Sequence, residues 1–143
     1  MFAPSQQDVR RFFVESWRKR QAGAPATPLE TMAADWIADH PEHHEAFVRL
    51  EEALAATYDG ADGRSNPFLH LSMHVSISEQ VSIDQPAGIR QAFQLLAARL
   101  GSAHAAQHEV MECLGQMLWD AQQGGLPPDG EAYIDCIRRR ATR

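Results

Sequence analysis

The stretch from Asn66 to about Ile83 constrains the fold more than any other part of the chain. It opens with Asn66 as N-cap and Pro67 at the first helical position, where the missing N–H leaves no bond unmade. At about 100° per residue, His70, His74, Ile77 and Val81 share one stripe, with Leu69 and Met73 beside it, while Phe68, Leu71 and Val75 carry apolar surface onto other sides. A helix apolar on several sides must be enclosed by other elements, so this one belongs in the middle of a bundle. Two imidazoles one turn apart then face the core. The expected fold is all-α: a compact single-domain helical bundle of about six to seven helices with a histidine-lined interior.

The flanking sequence supplies the remaining helices. Ser5 caps a first one running to about Gln21, with Val9, Phe12, Phe13, Ser16 and Trp17 inward. Thr27-Pro28-Leu29-Glu30 is a capping box with proline at the first position, opening a second helix that buries Leu29, Met32, Ala33, Trp36 and Ile37. The same stripe reaches His40, which precedes Pro41 and is therefore biased away from helical angles into a corner. Pro41 opens a third helix expected to run to about Tyr58, with Phe47, Leu50 and Leu54 inward and His43 a turn upstream on that side. The loop from Asp59 to Ser65 has the acid and glycine content of a calcium loop without its alternating ligands or closing glutamate. A fifth helix spans about 87 to 100, with Ile89, Ala92, Phe93, Leu96 and Leu100 inward. Gly101 stops it and Ser102 caps the sixth, 103 to 123, centred on Val110, Met111, Leu114, Met117 and Leu118. Gly115 in mid-helix suggests close packing or ligand clearance. Gly124-Gly125 ends that helix, and a short last one packs Tyr133, Ile134 and Ile137 before an arginine tail. Trp17, Trp36 and Trp119, at helical spacing, read as core.

With 143 residues and 44% hydrophobic content, residues 1–143 suit one domain, with 1–4 and 139–143 expected to fray. The net charge of −6 argues against nucleic acid as a partner, because phosphate binding relies on a basic surface. Nine of the 13 basic residues nevertheless lie at the ends: Arg10, Arg11, Arg18, Lys19, Arg20, Arg138, Arg139, Arg140 and Arg143. That leaves room for an unidentified protein partner or a homo-oligomer. Cys113 and Cys136 fall within helices and form no C-x-x-C pair, so reduced thiols are expected. No signal-like N-terminus and no apolar run of the roughly 18 residues needed for a membrane span is present, so no membrane partner and a cytoplasmic location are expected.

All seven histidines fall in three groups: His40, His43 and His44; His70 and His74; His104 and His108. The last pair continues at the same four-residue spacing to Glu112. Side chains at i and i+4 leave one helix face a turn apart, and neutral imidazoles there suit zinc, iron, copper or nickel. Glu112 is the carboxylate in register. The Glu-x-x-His pairs of ferritin-like di-iron bundles are missing, and imidazoles in excess over carboxylate point toward zinc or a hemerythrin-like iron set. The competing readings are a buried network of neutral, hydrogen-bonded histidines, or an exposed pH-sensing set. No phosphate loop, nucleophile elbow or dinucleotide fingerprint occurs, so no reaction is assigned.

Asn66-Pro67-Phe68-Leu69-His70-Leu71-Ser72-Met73-His74 through Ser78-Glu79-Gln80, then Pro86-Ala87-Gly88-Ile89-Arg90, Met111-Glu112-Cys113-Leu114, Trp119-Asp120-Ala121-Gln122 and Pro128-Asp129, resemble a bacterial family of small proteins catalogued as domain of unknown function 1841. His40-Pro41-Glu42-His43-His44 resembles that family's His-Pro-Glu-Tyr-His stretch, with His43 in the tyrosine place. The resemblance implies no activity. It moves the expected ligands of the first group toward His40 and His44, so the candidate metal set is His40, His44, His70, His74, His104, His108 and Glu112, for zinc or iron. The alternative is a non-enzymatic adaptor or regulator with structural histidines.

Overall fold

A computed structural model describes residues 5–58 and 66–142. Among them the chain is all-α, with seven α-helices, one 3₁₀ helix and no strand. It divides into two compact units, Met1–Val75 and Ser76–Arg143, the division falling inside one helix. The segment with calcium-loop composition, 59–65, lies outside the described residues.

In the first unit, α1 (Gln6–Ala22) begins with a reciprocal cap in which Ser5 Oγ accepts from the Asp8 N–H and Asp8 Oδ2 accepts from the Ser5 N–H. It ends at Gly23, whose φ of 66° lets its N–H turn back to the Arg20 carbonyl. The expected capping box opens α2 (Pro28–Ala38): Thr27 Oγ1 accepts from the Glu30 N–H at 3.1 Å, and Glu30 Oε1 from the Thr27 N–H at 2.9 Å. Lys19 reaches across to Glu30 at 2.6 Å and joins the two helices.

The expected third helix from Pro41 to Tyr58 is instead two pieces: a 3₁₀ helix, Pro41–Phe47, and α3 (Leu50–Ala55), separated at extended Arg49 (φ −126°, ψ 118°). Phe47 and Ala53 are both buried in one apolar cluster. Six residues apart, they would point about 120° away from each other on a continuous α-helix. The break re-aims them at the same core and leaves Val48 exposed. Phe13, Phe47 and Phe68 form that core's aromatic chain, with ring centroids 6.2 and 5.0 Å apart. Arg10 does not lie on the basic surface. It is 7% exposed, donates from Nη1 to the carbonyls of Ala53 and Ala56 at the end of α3, and lies over the Tyr58 and Phe68 rings.

Asn66 Oδ1 accepts from the N–H groups of Phe68 and Leu69 and so caps α4 (Pro67–Ile83). Phe68, Leu71, His74, Val75 and Ile77 of this helix are all buried, as its many-sided apolar pattern requires.

In the second unit, Asp84 Oδ1 accepts from the N–H groups of Gly88 and Arg90, and the Arg90 guanidinium donates to the Val81 and Ser82 carbonyls. This exchange stops one helix and starts α5 (Ile89–Leu100). Gly101 ends α5 and Ser102 Oγ caps α6 (Ala103–Gly124) by accepting from the Ala105 N–H. Then α7 (Gly130–Thr142) packs on α5 and α6 through buried Tyr133, Ile134 and Ile137. Burial pushes the Tyr133 hydroxyl above the ordinary tyrosine range, and it donates to Gln80 Oε1 at 2.7 Å.

Four expectations change in this unit. The tail expected to fray from residue 139 is helical to Thr142, because Arg140 pairs with Glu109 and Glu112 and its carbonyl accepts from Arg99. Cys113 and Cys136 form a disulfide, their Cα atoms brought to 5.9 Å by the packing of α6 against α7. A Cβ on Gly115 would meet nothing within 4 Å, so this glycine marks no close approach. Leu118 and Trp119, expected in the core, are 48% and 59% exposed.

Candidate histidine site

The site in the first unit starts from Pro41. The ring of a proline clashes with a helical residue before it, so His40 leaves α2 at φ −127°, ψ 67°. Its N–H still donates to the Ile37 carbonyl, and its own carbonyl accepts from the His43 N–H. This corner turns the imidazole back along α2, where Nδ1 lies 2.7 Å from the Trp36 carbonyl. A carbonyl only accepts, so Nδ1 carries a proton. The other nitrogen, Nε2, is aimed at Nε2 of His70 at 3.2 Å. One proton lies between those two nitrogens.

His74, one turn beyond His70 on α4, completes a triangle of rings. The His40–His70, His40–His74 and His70–His74 centroids are 4.9, 4.8 and 4.9 Å apart. His40 and His74 are buried, and the Trp36 indole stacks on His74 at 4.0 Å with the planes 11° apart. His43 lies at the margin, 5.9 Å from the His40 ring and 5.8 Å from His70. Burial lowers the His43 pKa, His40 adds to that, and Glu42 opposes it. Its ring therefore favours the neutral form.

Glu42 is the carboxylate that sequence reasoning missed. A hydrogen bond from its own backbone N–H holds its carboxyl below the ordinary glutamate range; burial works against this, and His40, His43 and His70 lower it further. Its place between His40 and His43 in the sequence was the available signal.

The other candidates make contacts of their own. His44 turns to the Trp17 ring, 4.7 Å away, and its Nε2 donates to the Ile37 carbonyl at 2.9 Å, so that nitrogen is engaged. In the second unit, His104 and His108 of α6 sit half-buried with ring centroids 4.7 Å apart, the geometry expected for an i, i+4 pair. Glu112, on the same helix, is 66% exposed and lies 3.3 Å from Arg140, a cation that the linear sequence does not place beside it.

A family model described as domain of unknown function 1841 matches residues 5–139 of the 143. The chain belongs to this family. The matched region contains every histidine and both cysteines, so the corner at His40 and the two i, i+4 pairs lie within the family domain. No curated protein and no solved structure matches this family member. Among its described residues, no helix is long and apolar enough to cross a membrane.

Proposed function

We propose that the protein binds a transition-metal ion, zinc or iron by ligand type, through histidines of several helices. The observation that carries this reading is the fixed His40 ring. Its Nδ1–H donates to the Trp36 carbonyl, the second-sphere bond that ligating histidines commonly make. Its Nε2 stands 3.2 Å from a second imidazole nitrogen. Two nitrogens about 2.0 to 2.1 Å from one tetrahedral zinc ion are about 3.3 Å apart, so an ion could replace the proton now between His40 and His70 with little movement of either. His70 would then carry its proton on Nδ1. In this reading His40, His70 and His74 of the first unit, whose rings form the triangle, supply the ligands. His44 and Glu112 are left out, since Ile37 and Arg140 engage them.

The adaptor reading draws less support. Among the terminal basic residues, Arg18, Lys19, Arg20 and Arg140 each pair with a carboxylate, and Arg10 is buried. Five of the nine terminal basic residues are thus engaged within the chain.

Metal analysis of tag-free protein after incubation with Zn²⁺ or Co²⁺ tests the reading. About one equivalent should bind, and His40→Ala or His74→Ala should weaken binding by at least about tenfold, the low end of what loss of even an outer-sphere partner does. Retention of less than about 0.1 equivalent, where a structural zinc site binds by about 10 kcal/mol or more, would remove the site. The histidines would then be a hydrogen-bonded network.

A further inference from the structure

The Cys113–Cys136 bond belongs to no part of the histidine site, and it joins two elements with independent means of staying together. Cys113 lies fully buried on α6, whereas Cys136 on α7 is half-buried. Around the bond, α7 is also held by Ile134 and Ile137 in the core, by the Tyr133 hydroxyl on Gln80, and by Arg140 on Glu109. Loss of the bond therefore leaves a helix still docked, but less firmly. The 125–129 connection before it is exposed throughout. The chain has two cysteines, so within it the opened bond can re-form only the same pair.

We propose that the Cys113–Cys136 disulfide is a redox latch that sets how firmly α7 is seated on α6, opened and closed by exchange with a small thiol such as glutathione. In opening, a glutathione thiolate attacks the sulfur of the more accessible Cys136. The S–S bond breaks and Cys113 departs as a thiolate, which takes up a proton. A second glutathione thiolate then attacks the glutathione sulfur of this mixed disulfide, forming oxidised glutathione and releasing Cys136 as a thiolate that takes up a proton. Two electrons pass from two glutathione molecules to the protein, and closing reverses both steps. The seating of α7 matters to the rest of the unit because Arg140 is what engages Glu109 and Glu112, and because α7 walls a pocket of about 570 Å³ with Ile134, Asp135 and Arg138 facing Pro86.

The test uses the full chain equilibrated in buffers of graded reduced-to-oxidised glutathione, with alkylation and mass spectrometry to count thiols and hydrogen exchange to read each helix. The proposal expects interconversion between zero and two alkylated cysteines across the series. With reduction, amide exchange in 130–142 should rise at least about tenfold, while α1 and α2 stay unchanged. The Cys113→Ser/Cys136→Ser double variant should show the fast α7 exchange in every buffer. Thiols that never pair, or a bond that never opens, would overturn the switch. Equal α7 exchange in both redox forms would overturn the latch. Exchange rising throughout the chain would show a general staple instead.

Discussion

Arg10 offers the sharpest test of how the first unit is held together. The residue is 7% exposed, and its guanidinium donates two hydrogen bonds from Nη1, at 2.9 Å to the Ala53 carbonyl and 2.7 Å to that of Ala56. It also lies 5.4 Å from the Tyr58 ring centroid and 5.2 Å from that of Phe68. Hydrogen bonds to a charged group contribute about 1.5–3 kcal/mol each and the two ring contacts about 0.5–1 kcal/mol each, a gross of about 4–8 kcal/mol. Against this, Arg10→Ala no longer desolvates a cation, a relief of a few kcal/mol, and lets water reach the two carbonyls. The net expectation is a loss of about 3 kcal/mol. With a urea m-value of about 2 kcal/mol/M, the unfolding midpoint falls by about 1.5 M. Trp17 and Trp36 lie in this unit and report the transition by fluorescence. Arg10→Lys should recover part of the loss, since an ammonium can donate to the carbonyls but offers no planar face to the rings. A change of less than about 0.5 kcal/mol in Arg10→Ala, the range of an ordinary surface substitution, would refute the idea that this buried cation closes α3.

His44→Ala should lower stability by about 1–2 kcal/mol through loss of the Ile37 bond and the Trp17 contact, while metal uptake stays at the wild-type level; a parallel loss of metal would put His44 among the ligands. Glu30 gives a pH test: the hydrogen bond from Lys19, then that from the Thr27 backbone, holds its carboxyl below the ordinary 4.5. A depressed carboxyl contributes stability that is complete above pH 4.5 and is lost as the pH falls through the lower folded value. The stability difference between wild type and Glu30→Gln, measured by urea unfolding, should therefore be present at pH 6 and shrink on acidification below 4.5; a difference independent of pH would contradict the pair's role.

Helix beginnings and ends were legible wherever the signal lies within four residues. Ser5, Thr27 with Glu30, Asn66 and Ser102 all cap the helices they precede, and Gly101 and Gly125 turn left-handed where helices stop. The corner at His40 was legible for the same reason, since Pro41 acts on its immediate neighbour. So was the inward direction of His70 and His74, a property of helical period alone. The periodic argument failed after Pro41. A 100° wheel does not apply to a 3₁₀ segment, where successive residues turn by about 120°; the wheel favoured His43, and the family resemblance moved the expectation to His44. The distant partners were likewise beyond the sequence. Cys136 for Cys113, Arg140 for Glu112, the α3 carbonyls for Arg10 and the His40–His70 nitrogen pair join residues 23 to 46 positions apart. Local chemistry determines where each helix starts, stops and turns its apolar face. Which polar group meets which across two helices is decided only when those faces pack, because that meeting is set by distances between elements that no spacing along one of them encodes.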